Sequence, residues 1–343
     1  MSETSEISKS PLRTIHVGVG GRGWWPIEVM GADPKFAPVA LVDFKPENLP
    51  AARAQLDLPE SAVFPDLETA LAGTDAEAVV ICTPTRTHGA LARQAFAAGR
   101  HVLVEKGMTL DWEEAKALVQ AADEANVRFC VAQNYRYGAN ELAVTALLAD
   151  TAHPHHPGRV EIVDYVHHRF RPEPRTLDYP FAMVWDMSCH HMDSLGCWLG
   201  PLRRATAHAY NTTWSRYAHD ANIAAFLEYA NGAVCHYILT HTATLSEWRV
   251  TLQGDRGALR LHDAPGVRFY PRPEQMLGAA DPIPCDVPSQ PRTEQGVADA
   301  FYRYIVEGLE PGISGRNNLE TLAACEMLVR SAREGRPVER GEL

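Results

Sequence analysis

Residues 14–23 read TIHVGVGGRG, a short apolar run that leads directly into the pattern GxGxxG. At the end of a strand, the first glycine of this pattern permits a tight turn and the second lets the backbone approach a diphosphate. The third glycine lets the next helix pack closely on the strand, and the free N–H groups at that helix's start favour anions. The stretch therefore predicts a strand, loop and helix that bind a dinucleotide through Gly18, Gly20, Gly21, Arg22 and Gly23.

A carboxylate, Asp43, ends the second predicted strand 20 residues beyond Gly23. At that position a carboxylate can bind the adenosine ribose hydroxyls and repels a 2′-phosphate, which favours NAD(H) over NADP(H). The alternative is an ordinary aspartate in a turn, but the glycine loop upstream favours the cofactor interpretation. Arg22 and Lys45 are close enough in sequence to leave NADP open.

The first half of the chain alternates short apolar runs with helical stretches. Nearly continuous apolar runs are typical of parallel strands buried on both faces, and here they occupy residues 14–19, 39–43, 78–82, 101–104 and 127–132. Helices are predicted at 91–98 and 112–124, the second capped by Asp111 with Glu114 at the capping-box position. The alternation predicts an α/β Rossmann domain with a doubly wound parallel sheet over residues 1–136.

The pattern changes after about Tyr137, where strand candidates follow one another directly. They occupy residues 160–167, 204–210, 221–229, 233–239, 248–252 and 258–261, and Asn231-Gly232 between two of them indicates a hairpin turn. Residues 295–333 return to helix, and the Pro-rich residues 265–291 are interpreted as a long surface loop. We expect an α+β domain over residues 137–343, with an open-faced, mostly antiparallel sheet and helices on one side.

Composition limits the classes of function. The 343 residues include 43 acidic and 32 basic side chains, and this net charge of −11 argues against a nucleic-acid or anionic-membrane surface. Seven scattered cysteines without a CxxC pair argue against a disulfide framework or a zinc site and fit a reducing cytoplasm. Residues 1–9 are polar, unlike a signal peptide, and no run reaches the ~20 apolar residues of a membrane span. We expect a soluble, cytoplasmic protein.

Three later motifs narrow the interpretation. Residues 82–88 read CTPTRTH after the third strand, residues 105–107 read EKG after the fourth, and residues 186–193 read DMSCHHMD at the start of a helix. With the glycine loop, their order and spacing resemble the family of glucose–fructose oxidoreductase, inositol dehydrogenase and MocA (Gfo/Idh/MocA). The resemblance extends from Ile15 to about Val338 and includes a closing stretch, residues 312–338, like the family's final helix and tail.

The resemblance implies a Rossmann domain followed by an open-faced sheet domain that binds substrate and often mediates oligomerisation, here as a homodimer or homotetramer. It implies hydride transfer between nicotinamide and a carbinol or carbonyl carbon of a sugar, inositol or related polyol. Thr83, Pro84 and His88 would then lie along the cofactor, with Glu105 and Lys106 near the nicotinamide. The implied catalytic residues are Lys106, Asp186 and His190.

These residue types suit the chemistry. Oxidation of an alcohol removes the hydroxyl proton as hydride leaves carbon, and His190 can accept and return that proton near neutral pH. Asp186 lies four residues earlier, which predicts one helix face for both, and Lys106 at a strand end can stabilise an alkoxide. Taken alone, Lys106 could be a solvated charge and His190 a packed or surface residue. The joint order of the motifs favours catalysis.

Two departures from the family pattern bear on the shape of the substrate pocket more than on the chemistry. Gly107 stands where the family usually has proline, and Ser188 stands where it usually has glycine. Residues 181–185, FAMVW, replace a Gly-rich turn.

The remaining histidine clusters and polar residues have simpler interpretations than a metal or substrate site. Adjacent helix positions point about 100° apart, so His190 and His191 do not readily share one ion, and we predict no metal site. We interpret His153, His155 and His156 as a solvated loop. Six further residues could edge the substrate pocket, although we favour a solvated strand edge for most: Tyr135, Arg136, His167, His168, Arg169 and Arg171. If two of the arginines face the pocket, a carboxylated or phosphorylated substrate follows.

Two other functions stay open. The first is an NAD-dependent glycosidase that oxidises a sugar, eliminates a substituent and reduces the product again. The second is a non-catalytic NAD-binding sensor, against which the presence of Lys106 and His190 counts. Trp24 and Trp25 are predicted to pack the first helix.

Overall fold

A computed structural model of the chain describes residues 10–171, 173–174, 177, 179–262, 266–273, 281–289 and 292–343. The polar residues 1–9 and both ends of the predicted loop, Pro265 and Pro291, lie outside the described residues. By contacts the chain divides into two compact units, residues 1–132 with 294–317 and residues 133–293 with 318–343. The division of function at residues 136 and 137 stays a prediction.

The first unit contains a six-stranded parallel sheet in the order β3-β2-β1-β4-β5-β6. This order confirms the predicted doubly wound sheet, and the five predicted strands are all present. This sheet contains one strand more than predicted, β3, whose two residues are too few to show a pattern in the sequence. The strands are β1 Leu12–Val17, β2 Phe36–Val42, β3 Val63–Phe64, β4 Ala78–Ile81, β5 His101–Val104 and β6 Phe129–Val131.

Helices connect these strands. They are α1 Trp24–Ala32, α2 Leu49–Gln55, α3 Leu67–Gly73, α4 His88–Ala97 and α5 Trp112–Glu124. The predicted cap of α5 is confirmed, because the Asp111 carboxylate accepts a hydrogen bond of 2.8 Å from the Glu114 N–H. Trp25 is buried and Trp24 packs against a core of Val19, Ile27, Leu41 and Ala52, which confirms that the two tryptophans pack the first helix.

The second unit contains a nine-stranded sheet in the order β14-β13-β12-β11-β7-β10-β9-β8-β15. Neighbouring strands are antiparallel except β7 and β10, which are parallel. The sheet is therefore mostly antiparallel, as predicted. The strands are β7 Val160–Phe170, β8 Leu202–Tyr210, β9 Asn222–Tyr229, β10 Val234–Thr240, β11 Thr242–Gly254, β12 Gly257–Leu261, β13 Val267–Pro271, β14 Ile283–Cys285 and β15 Val338–Glu339.

Two loops of this unit compare differently with the sequence. The hairpin at Asn231-Gly232 is confirmed, since it joins β9 to β10 with Gly232 at φ 91°. The interpretation of residues 265–291 as a surface loop is wrong in part, because β13 and β14 extend the sheet there. Proline at the end of β13 and in the edge strand β14 costs few ladder hydrogen bonds, so the Pro-rich composition concealed both strands.

One face of the second sheet carries helices and the other is open. The helices of this unit are α6 Ala139–Ala149 and α7 Cys189–Leu199, and the long helix α9 Gly315–Glu334 enters it from residue 318; α8 Thr293–Val306 packs in the first unit. Tyr165 and Tyr237 are fully buried on the helical face, whereas Ile162 and Phe226 are 42% and 41% exposed on the other. In the described part of the chain, no helix combines the length and apolar character that a bilayer crossing needs.

A buried histidine in β1 makes stability depend on pH. Burial lowers the pKa of His16, which is 2% exposed and lies 2.9 Å from the Thr14 hydroxyl, from 6.5 to about 4. Above pH 6.5 the ring is neutral in both the folded and the unfolded chain. Below it the unfolded chain binds a proton that the folded chain does not, so the free energy of unfolding falls until about pH 4.

We expect His16→Gln to flatten this acid slope by up to about 1.4 kcal/mol per pH unit. Glutamine keeps a polar group near the Nε2 position and does not titrate. The measurement is urea unfolding between pH 7 and 4.5, with His208→Gln at an exposed position of β8 as control. Equal slopes for wild type and His16→Gln would contradict the prediction.

Candidate functional site

The glycine loop of the first unit has the close packing that its sequence predicts. Gly18 follows β1 with φ +80°, and a Cβ on Gly23 would lie 1.8 Å from the Gly18 carbonyl oxygen. A Cβ on Gly21, by contrast, would meet no atom within 4 Å. The loop is thus packed on its inner side and open above Gly21, a shape that lets a diphosphate reach the backbone N–H groups before α1.

Asp43 anchors this loop from the end of β2. Its carboxylate is buried and accepts hydrogen bonds from the Val19 N–H at 2.8 Å, the Lys45 N–H at 2.8 Å and the Asn48 side-chain amide at 3.1 Å. Asn48 also lies under Gly20, where a Cβ would be 2.4 Å from its nitrogen. Asn48 has no signal in the sequence, because an asparagine in a loop after a strand belongs to no recognisable pattern.

Glu105 joins the glycine loop to the end of β5. One carboxylate oxygen accepts from the Arg22 guanidinium at 2.8 Å, and the other accepts from the Lys106 N–H at 2.7 Å. Glu105 is 4% exposed, whereas Lys106 is half-buried and is joined to Gly107 by a cis peptide bond. The predicted residues Arg22, Glu105 and Lys106 therefore lie at one edge of the parallel sheet.

His88 connects the two remaining cofactor motifs. Its Nδ1 lies 2.9 Å from the Gly107 carbonyl oxygen and its Nε2 lies 2.8 Å from that of Thr83, with the ring 1% exposed. Burial lowers the pKa of His88, against the opposite effect of the two carbonyls. Thr83 and Pro84 follow β4, so the structure places them with Gly107 and Lys106 at the carboxyl ends of adjacent strands, where open α/β sheets bind ligands.

We expect Gly23→Ala to raise the Kd for NAD⁺ at least about tenfold and to lower Tm. The added Cβ has no room beside Gly18, and overpacking of this kind costs about 1–3 kcal/mol. Calorimetric titration with NAD⁺ and thermal unfolding measure the two effects. Gly196→Ala in α7, where a Cβ meets nothing within 4 Å, is the matched control. Unchanged affinity in Gly23→Ala would refute this account of the loop.

In the second unit, Asp186 and His190 lie in consecutive but different helical segments. Asp186 belongs to a π-helical turn, Val184–Ser188, and His190 to the first turn of α7. The Asp186 carboxylate accepts a hydrogen bond of 3.2 Å from Arg171. The prediction of a regular helix face is therefore incomplete, since the wider turn alters the phase between these residues; such turns are frequent at functional sites.

The His190 ring is held flat against an aromatic ring. It is 4% exposed, and Tyr135 stacks on it at 4.0 Å between ring centroids and 11° between planes. Tyr135 also contacts Trp248 of β11 at 5.2 Å. Two rings contact Tyr135, so a solvated strand edge, the interpretation favoured for most of the six residues, does not apply to it.

A buried hydrogen-bonded chain fixes the start of α7 to the sheet. Its distances are 3.0 Å from His167 Nδ1 to His191 Nε2, 2.7 Å from His191 Nδ1 to Tyr237 Oη, and 2.7 Å from Tyr237 Oη to Ser188 Oγ. Burial lowers the pKa of both histidines, that of His167 to about 3, and raises that of Tyr237. The chain is therefore neutral, and Ser188, a departure from the family pattern, is its last member.

Arg136 and Asp193 form a second fixed contact. Arg136 donates from Nε at 2.9 Å and from Nη2 at 2.6 Å to the two oxygens of Asp193, which also accepts from Thr321 at 3.0 Å. The Asp193 side chain is fully buried. A solvated edge is consequently the wrong interpretation for Arg136, and also for His167, which is buried under a Trp248 ring stacked at 4.8 Å.

A cavity of about 290 Å³ lies where β7 and β11 separate, lined by residues 167–171 and 246–248. It includes Arg169 and Arg171, so these two predicted pocket residues share one cavity with His167 and His168. The register between the strands shifts between Thr242 and Glu247. Irregularities of this kind are common next to active sites.

The other histidine cluster has a structural role. His156 is buried and its Nδ1 accepts from the Gly158 N–H at 2.9 Å, while His155 stacks on Phe269 at 5.4 Å. A solvated loop is therefore wrong for these two residues, because His156 is buried and a ring of β13 stacks on His155. Among the described residues, no group of three or more His, Cys, Asp or Glu side chains is arranged to hold a metal ion.

Comparisons with known proteins agree with this geometry. Residues 12–133 match the model of an oxidoreductase family with an NAD-binding Rossmann fold, and residues 179–339 match that family's C-terminal alpha/beta domain. The chain is 28% identical to D-apiose dehydrogenase of Paraburkholderia graminis over 88% of this chain and 82% of that one. It is 26% identical to inositol 2-dehydrogenase of Rhizobium meliloti over 78% and 82% of the two chains.

A solved structure shows the same fold. The WlbA dehydrogenase from Bordetella pertussis, crystallised with NADH and UDP-GlcNAcA, superposes with a TM-score of 0.80 at 23% identity, over 97% of this chain and 99% of that one.

Proposed function

Because the chain belongs to the Gfo/Idh/MocA oxidoreductase family, we propose that it transfers hydride between NAD(H) and a carbinol or carbonyl carbon of a sugar, inositol or related polyol. The observation that carries the proposal is the buried imidazole of His190 in the second unit, stacked on the ring of Tyr135. The relatives named for D-apiose and inositol support the substrate class.

The first unit holds the cofactor in this proposal. The bound nicotinamide supplies the hydride acceptor in oxidation and the hydride donor in reduction. Asp43, at the end of β2, favours NAD over NADP because a carboxylate repels a 2′-phosphate. The proposed contacts are Gly18, Gly20, Gly21, Arg22, Gly23, Asp43, Thr83, Pro84, His88, Glu105 and Lys106.

Three side chains carry the proton and the developing charge. His190 takes the substrate hydroxyl proton in oxidation and returns it in reduction. Lys106, whose backbone is fixed by Glu105, stabilises alkoxide character on the substrate oxygen. Asp186, four residues before His190, adds a carboxylate that an ion pair with Arg171 holds in place.

The test follows absorbance of NADH while purified protein and NAD⁺ meet aldoses, inositols, sugar acids and glycosides. We expect NADH to appear with one class of substrate. Cleavage of a glycoside without net NADH would point instead to internal redox cycling. Tight NAD⁺ binding with no reaction on any substrate would favour a sensor and overturn the proposal.

The proposed location and assembly follow from the same features. All seven cysteines are described and none is in a disulfide, which fits a reducing cytoplasm. The open sheet face, with Ile162 and Phe226 exposed, fits a homodimer or homotetramer in which a symmetric copy covers it. Light scattering of the purified protein tests the assembly, and a monomer at micromolar concentration would contradict it.

A further inference from the structure

Part of the Arg169 guanidinium is buried in the second unit, where no described residue accepts a hydrogen bond from it. Side chains alternate between faces along a strand, so Arg169 shares the helical face of β7 with Tyr165 and His167. Its Nη1 atom is buried and has no hydrogen-bond partner among the residues that the structure describes. Burial and the neighbouring Arg171 both lower the pKa of Arg169. A buried guanidinium nitrogen without an acceptor is unfavourable and calls for a physical reason.

Arg136 shows how a structural arginine behaves in the same unit. It donates hydrogen bonds from two nitrogens to the two oxygens of the buried Asp193 carboxylate. Arg169 forms no such pair with any described residue, although it lines the cavity of about 290 Å³. The difference indicates that no described residue supplies the acceptor for Arg169, and the cavity offers room for a ligand that does.

The charges around Arg169 leave a positive excess. Arg171 lines the same cavity and pairs with Asp186 at 3.2 Å, the carboxylate that also acts on Arg169. Glu247, on the opposite wall, already pairs with Arg249 at 3.0 Å. Among the described residues around this cavity, each of these two acidic groups is thus matched by an arginine, and the charge of Arg169 is not balanced.

His241 contributes a second buried polar atom beside these arginines. It is 1% exposed, and its Nε2 has no hydrogen-bond partner in the described part of the chain. Its carbonyl oxygen accepts from the Arg171 N–H at 2.8 Å, which fixes the two residues together. Burial, followed by Arg169 and Arg171, lowers its pKa to about 4, so the ring is neutral at pH 7. A neutral imidazole can donate one hydrogen bond to an anion.

The cavity is connected to the proposed acid/base within the second unit, because Trp248 lines it and contacts Tyr135, the ring that stacks on His190. His167 contacts His191, the neighbour of His190, at 3.0 Å. Arg169 is two residues farther along the same face of β7, about 7 Å. The cavity is at the small end of the range of about 300–1,000 Å³ for ligand pockets, which favours a single sugar unit.

We propose that the substrate carries an anionic group, a carboxylate, that binds Arg169, Arg171 and His241 while His190 acts on its carbinol. This substrate class, a sugar acid, rests on the proposed function. A guanidinium group can bind two oxygens of a carboxylate or of a phosphate at once. The test therefore includes substrates that carry each of these groups.

The experiment compares matched substrates. Glucose, glucuronate and glucose 6-phosphate, with the galactose series alongside, are assayed for NADH formation and, separately, for binding by calorimetry in the presence of NAD⁺. We expect the acids to have the highest kcat/KM. Arg169→Gln should lower kcat/KM and affinity for the acids about 100-fold and change the neutral sugars little. Arg169→Lys keeps the charge but not the paired donors, so its kcat/KM for the acids should lie between the values of wild type and Arg169→Gln.

Controls separate this inference from folding and from the proposed function. Arg203→Gln, at an exposed position of β8, should leave both readouts unchanged, and Tm confirms that each variant is folded. Acid binding that needs Arg169, without turnover of any substrate, would keep the subsite and overturn the proposed function. Turnover of neutral sugars equal to that of acids, with Arg169→Gln unaffected, would overturn the subsite and keep the function. Higher kcat/KM for the sugar phosphates than for the sugar acids would show that the anionic group is not a carboxylate and would overturn the proposed substrate class.

Discussion

Replacement of His190 by alanine is expected to lower kcat by about 10²- to 10⁴-fold with little change in NAD⁺ affinity. A positioned acid/base contributes a factor of this size because the hydroxyl proton otherwise leaves to water. The ring is already held against Tyr135 at 4.0 Å, so its loss removes a preorganised group. Steady-state kinetics with the best substrate of the panel, together with calorimetric titration of NAD⁺, measure the two quantities.

His208→Ala is the matched control for this experiment. His208 lies at an exposed position of β8 in the same unit, and its variant should retain full kcat. The pH profile gives a second check, because loss of the acid/base should remove the corresponding limb of the kcat profile. If His190→Ala keeps kcat within a few-fold of wild type while folded, His190 is not the acid/base.

Asp193→Asn is expected to destabilise the second unit by about 3–5 kcal/mol. The change leaves the Arg136 guanidinium without its two charged acceptors in a site where the Asp193 side chain is fully buried. It also weakens the bond from Thr321, which joins α9 to α7. Denaturant unfolding followed by tryptophan fluorescence, since Trp185 and Trp198 lie near this pair in sequence, measures the loss.

Asp123→Asn provides the comparison for a surface pair. Asp123 and Arg316 are 52% and 61% exposed, so removing this ion pair should cost less than about 1 kcal/mol. The double variant Asp193→Asn with Arg136→Met should recover part of the loss, because it also removes the stranded charge. Equal destabilisation by Asp193→Asn and Asp123→Asn would show that the buried pair contributes no more than a surface pair.

The sequence alone determined the features that depend on neighbouring residues. The glycine loop, the strands of the parallel sheet, the Asp111 cap and the Asn231-Gly232 turn each follow from local backbone sterics or from the alternation of apolar side chains. Backbone sterics and side-chain alternation act over a few neighbouring residues, so they produce patterns that can be recognised in the sequence. The order of the motifs was likewise enough to identify the family that the comparisons show.

Only the tertiary structure decided which polar side chains meet. Arg136 and Asp193 are 57 residues apart, and His191 and Tyr237 are 46 apart, yet each pair is in direct contact. His241 had no signal in the sequence, and the sequence named Arg169 without showing that one of its nitrogens is buried. Burial and partner identity depend on how strands 72 residues apart pair in the sheet. Sequence patterns report local geometry, whereas the electrostatics of a site are the sum of contacts that folding brings together.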